Sequence, residues 1–264
     1  MDIFNFDMAE FLSFLLTLMR LSLVVFLLPF FEGKTIPRVV KASVCLMLTL
    51  AIFPSISFKA TDFPAHPFEI ALIMLSEILL GVLLGLAVKF IFAGIRTGGM
   101  VIGFQMGFSM LTLANPSSGE QEGITSILLY QLSFTVFIVA NGHLYLIKAL
   151  TDSFDLIPPG GLVLSAMLGQ QILTLSLTMF VLAIKVAAPV MISLMLVELT
   201  LGLMGRAAPQ MNLLMLGFPV KIAVGLVFIG MLFTLMGQRM EGLILSLGPM
   251  FSHLIKAGSP LLQQ

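Results

Sequence analysis

The sequence predicts an all-α, integral membrane-type protein of about six hydrophobic, partly broken helices. Only 10% of its 264 residues are Asp, Glu, Lys or Arg, and 59% are hydrophobic, whereas an average soluble domain is about 25% charged. The mean hydropathy is +1.12. Such a chain must cover its sides with lipid or with partner proteins. Helices are expected because the edges of an open sheet would leave backbone groups unpaired in lipid.

Apolar runs place these helices along the chain. A helix of about 20 residues crosses the hydrocarbon core of a bilayer. The runs are residues 11–28, 39–53, 70–88, 124–147, 162–204 and 213–235, and an amphipathic tail, 241–264, follows. The run 162–204 is too long for one span, so it forms either a long helix or two pieces hinged near Pro189. Lys34, Arg38 and Lys41 form a basic loop after the first run, which the positive-inside rule places in the cytoplasm.

Residues 94–123 break the pattern of the third run and begin with many glycines. Several glycines here, and two before them, are spaced four residues apart: Gly81 and Gly85, Gly94 and Gly98, and Gly99, Gly103 and Gly107. This spacing forms a flat stripe on a helix, where another backbone can approach closely. Ordinary helix packing is one interpretation. A tight contact between subunits or a pore-lining turn is the other.

An apolar stretch lies between these glycines and a proline break. Its large apolar side chains are Phe108, Met110, Leu111 and Leu113. A plain helix is not expected past Asn115, because Pro116 disfavours the helical conformation of the residue before it. Non-helical backbone at membrane depth is tolerated only inside protein or along a water-filled cavity, and apolar side chains in a pore gate it by excluding water. The stretch is therefore either a loop in a cavity or a surface loop between two spans.

Six ionisable residues lie inside the apolar runs: Arg20, Glu77, Lys89, Lys185, Glu198 and Lys221. Such residues are costly in lipid and usually face protein or water. Lys185 and Glu198 would lie about 20 Å apart on one straight helix, so they can pair only across helices or between subunits. Glu77, Lys185, Glu198 and Lys221 are the candidates for buried charges at contacts between subunits. For Lys89 and Lys221 the alternative is snorkelling near a helix end.

Enzymatic motifs are missing from the sequence. It contains no HExxH, GxSxG, P-loop or GxGxxG pattern, and three His with one Cys, Cys45, leave little material for a metal site. We expect no catalysis, no cofactor and no metal. His143, in the cluster at 141–143, is interpreted as structural, with a proton relay as the alternative. The formal net charge of zero gives no field that would attract nucleic acid.

Several separated motifs resemble the FliR family of flagellar biosynthetic proteins. They are GFQMGFS (103–109), NP (115–116), NGHL (141–144), AAPQMN (207–212) and GFP (217–219). Their order and the chain length also match that family, and the likeness covers nearly the whole chain. Injectisome proteins of the same family are the second possibility.

The resemblance implies a subunit of the type III export gate, in the flagellar basal body of the bacterial inner membrane. Its implied partners are FliP and FliQ in a hetero-oligomeric pore, with FlhB and FlhA on the export path, unfolded proteins as substrates, and membrane lipid. It also implies a FliP-like helical half over residues 1–157. A FliQ-like helical hairpin and a tail follow over residues 162–264, with the hairpin turn at 205–212.

The family's plug loop corresponds to the apolar stretch identified above. The implied plug residues are Gly107, Phe108, Ser109, Met110, Leu111, Thr112, Leu113, Asn115 and Pro116. The large apolar side chains would obstruct the closed channel and move aside for an unfolded substrate. The family often has an acidic residue before the proline, where this chain has Asn115.

A secondary transporter for a small solute is the alternative function. Broken helices and buried charges suit that class, which is often built from inverted repeats. No such repeat is visible in this sequence. An intramembrane enzyme is a third option, and it lacks a recognisable set of catalytic residues.

Overall fold

A computed structural model describes residues 8–31, 36–56, 66–108, 123–210 and 213–259. Within these ranges the chain forms seven α-helices and no strand, which confirms the all-α prediction. The helices are α1 (Met8–Leu27), α2 (Arg38–Ile52), α3 (Pro67–Met106), α4 (Ile124–Val139), α5 (Gly142–Leu156), α6 (Ala166–Ala207) and α7 (Leu213–Gly258). Short 3-10 turns follow α1 at Pro29–Phe31 and α2 at Phe53–Ser55.

Four of the described helices are long and apolar enough to cross a membrane. The candidate spans are Glu10–Leu27, Pro67–Met106, Ala166–Ala207 and Met215–Thr234. The bent pair of α4 and α5 can form one further, broken span. This number of long apolar helices agrees with the expected membrane-type protein.

Three boundaries differ from those expected from the sequence. Helix α7 continues to Gly258, so the last apolar run and most of the tail form one helix. Helix α3 continues through the glycine-rich residues as far as Met106, so the irregular segment begins later than Gly94. Conversely, the run 124–147 is not one helix. Asn141 adopts the left-handed conformation, with φ of 57°, and separates α4 from α5. Asn visits this conformation more readily than most residues because its short polar side chain hydrogen-bonds locally.

The run that contains Pro189 forms one helix rather than two hinged pieces. Helix α6 extends over 42 residues with Pro189 in its interior. At the start of α2, Arg38 and Lys41 are helical rather than part of a loop. Lys34, the third basic residue, lies outside the described residues.

The chain divides into two compact units. Unit 1 comprises Met1–Lys89, Asn141–Leu175 and Ile244–Gln264, and unit 2 comprises Phe90–Ala140 and Ser176–Leu243. The division into a FliP-like and a FliQ-like half stays a prediction.

In unit 1, the end of α7 is hydrogen-bonded to the end of α5 and to the connection between α5 and α6. The backbone N–H of Val163 donates to the carbonyl of Gly258 at 3.0 Å. The hydroxyl of Ser165 donates to the carbonyl of Ala257 at 2.8 Å, and that of Ser259 donates to the carbonyl of Leu156, also at 2.8 Å. These bonds satisfy carbonyls at helix ends, where no intrahelical partner is available.

Unit 2 has an aromatic contact between α3 and α4. The ring of Phe92 meets Phe137 edge-on with centroids 5.5 Å apart, and it meets Tyr130 at 5.8 Å. The guanidinium of Arg96 lies 4.3 Å from the centroid of the Tyr130 ring. This arrangement is a cation–π contact, so the charge of Arg96 is accommodated inside the helix pair.

Candidate functional site

The expected plug lies between α3 and α4, and most of it lies outside the described residues. That holds for Ser109, Met110, Leu111, Thr112, Leu113, Asn115 and Pro116. Gly107 and Phe108 are described, and so are both helices that flank the segment.

Helix α3 ends at Gly107 in a Schellman motif. The N–H of Gly107 donates to the carbonyl of Phe104 at 3.1 Å, and the N–H of Phe108 donates to the carbonyl of Gly103 at 3.0 Å. These two bonds are the pair that defines the motif, in which a left-handed residue follows the helix. Gly107 has φ of +91°. A Cβ at this position would lie 2.6 Å from the Phe218 ring, so only glycine fits both the backbone and the space.

The first turn of α4 is fastened to α3. The hydroxyl of Thr125 donates to the carbonyl of Gly99 at 2.7 Å, and that of Ser126 donates to the carbonyl of Arg96 at 2.9 Å. A Cβ at Gly99 would lie 2.7 Å from the Cα of Ser126. The two helices thus approach to backbone contact where α4 begins. The end of α3 and the start of α4, which flank residues 109–122, are thus held together.

Four of the spaced glycines of α3 form two stripes that lie against different helices of unit 2. Gly99 and Gly103 lie against the start of α4. Gly94 and Gly98 lie against α6, where a Cβ would be 2.6 Å from the carbonyl oxygen of Met179 and 2.9 Å from that of Ala183, respectively. The two stripes therefore hold α3 between α4 and α6.

Helices α6 and α7 also contact the last turn of α3, from which the plug segment continues. The amide of Gln105 donates to the carbonyl of Met191 on α6 at 3.4 Å. A Cβ at Gly225 of α7 would lie 2.6 Å from the Met106 side chain, which is fully buried. The last turn of α3 is thus enclosed by three other helices of unit 2, which gives the segment a rigid point of attachment.

Unit 1 contains a fully buried ion pair between Arg20 and Glu77. The guanidinium of Arg20 donates to both carboxylate oxygens of Glu77, at 2.6 and 2.9 Å. It also donates to the Ser153 hydroxyl and to the Ile157 carbonyl, each at 3.1 Å, and it lies 4.0 Å from the centroid of the Phe154 ring. Both charged side chains are 0% exposed. The cluster ties α1, α3 and the end of α5 together.

The ionisable residues of unit 2 are arranged differently. Lys221 on α7 donates to Glu198 on α6 at 2.6 Å, and the two side chains are 22% and 45% exposed. Glu198 thus pairs across helices, but with Lys221 rather than with Lys185. Lys185 is exposed, and no described residue hydrogen-bonds or ion-pairs with it.

The described residues contain no group of three or more His, Cys, Asp or Glu that could hold a metal ion. The ring nitrogen Nδ1 of His143 has no hydrogen-bond partner in the structure. A groove of about 520 Å³ on unit 2 is mainly apolar; its lining is Ile124, Ile127, Leu128, Gln131, Leu132, Thr135 and Phe233.

Sequence reasoning singled out Arg20, Glu77 and the glycines, but it missed the residues that meet them. Thr125 and Ser126 fasten α4 to α3, and Phe218 packs on Gly107. The adjacent Thr and Ser directly after Gly123 were the available signal, because small hydroxyl residues favour close helix contacts in membrane proteins. Phe218 belongs to the GFP motif at 217–219, but nothing in that motif indicates its contact with Gly107.

The fold and this site define a class: an all-α membrane protein whose long helices pack closely through glycines. Comparison with known proteins narrows the class to a family. A model of the family "Bacterial export proteins, family 1" matches residues 11–247. The chain therefore belongs to the bacterial export proteins of family 1, and the resemblance seen in the sequence is confirmed.

Relatives with assigned names agree with this family. The flagellar biosynthetic protein FliR of Escherichia coli (strain K12) is 32% identical, over 86% of this chain and 86% of its own length. FliR of Bacillus subtilis (strain 168) is 29% identical over 82% of this chain and 84% of its own length. The Yop proteins translocation protein T of Yersinia pestis is 27% identical over 81% of this chain and 82% of its own length.

Proposed function

We propose that this chain is a non-enzymatic subunit of the flagellar type III protein export gate. Its membership of the bacterial export family makes it a component of an export apparatus. The role in the flagellar gate is supported by the family match over residues 11–247, together with relatives named as flagellar biosynthetic proteins. With FliP and FliQ the chain forms the pore through which unfolded flagellar proteins cross the inner membrane. FlhB and FlhA act beside this pore.

The surface of the long helices supports assembly with other subunits. Only 33% of the most apolar stretch of α6 is buried, and only 22% of that of Met215–Thr234 in α7. Large side chains such as Ile184, Leu199 and Met215 are 67%, 62% and 77% exposed. Apolar surface of this extent needs lipid or protein to cover it. Partner subunits of the gate supply that cover.

The apolar segment after Gly107 is the proposed plug of the closed channel. This proposal is supported by the two helices that flank the segment: the end of α3 is enclosed by other helices, and the start of α4 is hydrogen-bonded to α3. A short segment with both ends fixed at one place can change conformation without moving the helices that carry it. Phe108, Met110, Leu111 and Leu113 would seal the closed pore by excluding water.

The test replaces these four plug residues with Gly and Ser in the intact gate. Gentle detergent extraction is expected to give a large hetero-oligomer, and the variant gate is expected to leak ions when wild type does not. The matched control replaces the exposed apolar residues Val139 and Leu144 with Ser and should not leak. Unchanged leak in an assembled variant gate would reject the plug. Extraction as a monomer or a small homo-oligomer would reject the gate subunit and favour a secondary transporter.

A further inference from the structure

The outward face of α6 around Lys185 in unit 2 is mainly apolar. Lys185 is exposed. At positions −4, +7 and +11 from it, on the same helix face, Val181 is 47% exposed, and Ile192 and Leu196 are each 60% exposed. Leu199, at +14, continues this face and is 62% exposed. We call this surface the Lys185 face.

The direction of the Lys185 face is fixed by the opposite side of α6. Val190 and Leu194 are fully buried there. A Cβ at Gly98 of α3 would lie 2.9 Å from the Ala183 carbonyl oxygen and 3.1 Å from the Val186 side chain. Helix α6 cannot rotate to hide Lys185 without breaking these contacts. The lysine therefore stays on the outside of unit 2.

No described group of unit 2 neutralises Lys185. Among the side chains of this unit that the structure describes, Glu198 is the one carboxylate, and it binds Lys221 at 2.6 Å. Glu198 is also about 20 Å from Lys185 along the helix axis. A lysine that is covered by apolar surface without a counter-charge is strongly unfavourable. The cover of this face must therefore include a negative charge.

The length of α6 favours protein rather than lipid as that cover. Its 42 residues extend over about 63 Å. A hydrocarbon core of about 30 Å, crossed at a tilt of about 40°, covers about 40 Å of a helix. If a bilayer surface lay at Lys185, so that a lipid headgroup could reach it, the apolar face on one side of it would lie outside the lipid. Exposed apolar residues occur on both sides of Lys185, such as Val181 and Leu196. Wherever the bilayer surface lies along α6, part of the face therefore requires protein to cover it.

We propose that the Lys185 face binds an apolar helix of another subunit, and that a carboxylate on that helix pairs with Lys185. The inference rests on the proposed function, because the partner is a subunit of the export gate. The apolar residues supply contact area. The ion pair sets which helix binds and in what register, because unpaired or like charges at an interface exclude wrong partners.

The test uses the purified gate and three substitutions. Lys185→Glu is expected to lower the fraction of chain retained in the hetero-oligomer by about tenfold or more, because like charges then face each other. Lys185→Arg keeps the charge and should retain wild-type assembly. Lys148→Glu reverses an exposed charge in unit 1 and is the matched control, which should assemble normally. Normal assembly of the Lys185→Glu gate would overturn the inference.

A zero-length cross-link identifies the partner group. An apolar carbodiimide activates a carboxylate, which a neighbouring amine then attacks to form an amide and release a urea. Treatment of the wild-type gate should give a cross-linked peptide between Lys185 and an acidic residue of another subunit. The Lys185→Arg gate should not give it. If Lys185 substitutions change only the amount of bound anionic lipid, the face meets lipid headgroups and the inference is wrong.

Failure of the inference differs from failure of the proposed function. If only the inference is wrong, the wild-type chain still extracts within a large hetero-oligomer, and Lys185→Glu does not change that. If the function is wrong, the wild-type chain itself extracts alone or as a small homo-oligomer.

Discussion

Two ion pairs among the described residues lie in different environments, one in each unit. Arg20 and Glu77 in unit 1 are completely buried, with two hydrogen bonds between them and further bonds to Ser153 and Ile157. Lys221 and Glu198 in unit 2 share one contact and are partly exposed. The first pair is part of a packed interior. The second lies on a surface that still has room for a partner.

The two ion pairs indicate what holds each unit together. A buried charge pair is tolerated only when its remaining donors and acceptors are also satisfied, and the Arg20 cluster meets that condition. It fixes α1 and α3 to the end of α5 independently of other subunits. The Glu198–Lys221 pair has no such surrounding network among the described residues. Unit 2 therefore depends more on what covers it.

Substitution of Arg20 by Met should have the largest effect. It leaves the Glu77 carboxylate buried without its cation, and it removes the donor to Ser153 and Ile157. Breaking one side of a buried pair costs about 3–5 kcal/mol of stability. Thermal denaturation of the purified assembly, followed by loss of the soluble complex, measures the change, and the steady-state level of the chain in cells should fall with it.

The matched control is the double substitution Arg20→Met and Glu77→Leu. Replacing a whole buried pair with apolar residues of similar volume is often neutral, so most of the lost stability should return. A double variant as unstable as Arg20→Met alone would show that the cluster acts through its bonds to Ser153 and Ile157 rather than through the charge pair.

Gly81→Ala should have an intermediate effect in the same unit. A Cβ at Gly81 would lie 2.7 Å from the backbone carbonyl oxygen of Arg20 and 2.9 Å from the Leu23 Cβ. Backbone cannot rotate away as a side chain can, so α1 must shift, at a cost of about 1–3 kcal/mol. The shift also moves Arg20 relative to Glu77. Thermal denaturation of the assembly measures this loss as well.

Gly230→Ala in unit 2 is the control for that substitution. Nothing lies within 4 Å of a Cβ there, and Ala is favoured over Gly in a helix by about 1 kcal/mol. The two substitutions should therefore change stability in opposite directions. Equal destabilisation by both would mean that the contacts of Gly81 are not what limits its replacement.

Sequence patterns predicted the helices well where the physical cause was local. The apolar runs correspond to α1, α2, α6 and the first half of α7, because a helix is the local solution for backbone groups away from water. The end of α3 was expected too early. Its glycines lower helix propensity, but the close approach of α4 and α6 at Gly99 and Gly94 compensates, and that approach is a tertiary contact.

Pairings between distant residues were beyond sequence reasoning. Glu198 was recognised as needing a partner on another helix, but only the packing of α6 against α7 selects Lys221. Arg20 and Glu77 are 57 residues apart, and neither apolar run indicates which acid the arginine meets. Charge and spacing limit the possible partners of an ionisable group. The choice among them depends on how the helices pack.

Glu198→Gln should have the smallest effect, and it sharpens the comparison most. Exposed ion pairs contribute about 0.2–1 kcal/mol, so Glu198→Gln, Lys221→Met and the double variant should give a coupling energy in that range by thermal denaturation of the assembly. The coupling should also weaken as salt is raised, because exposed charges are screened. A coupling of about 3 kcal/mol or more would match a buried pair. It would mean that a partner subunit covers Glu198 and Lys221 in the gate, and that the difference between the two units disappears on assembly.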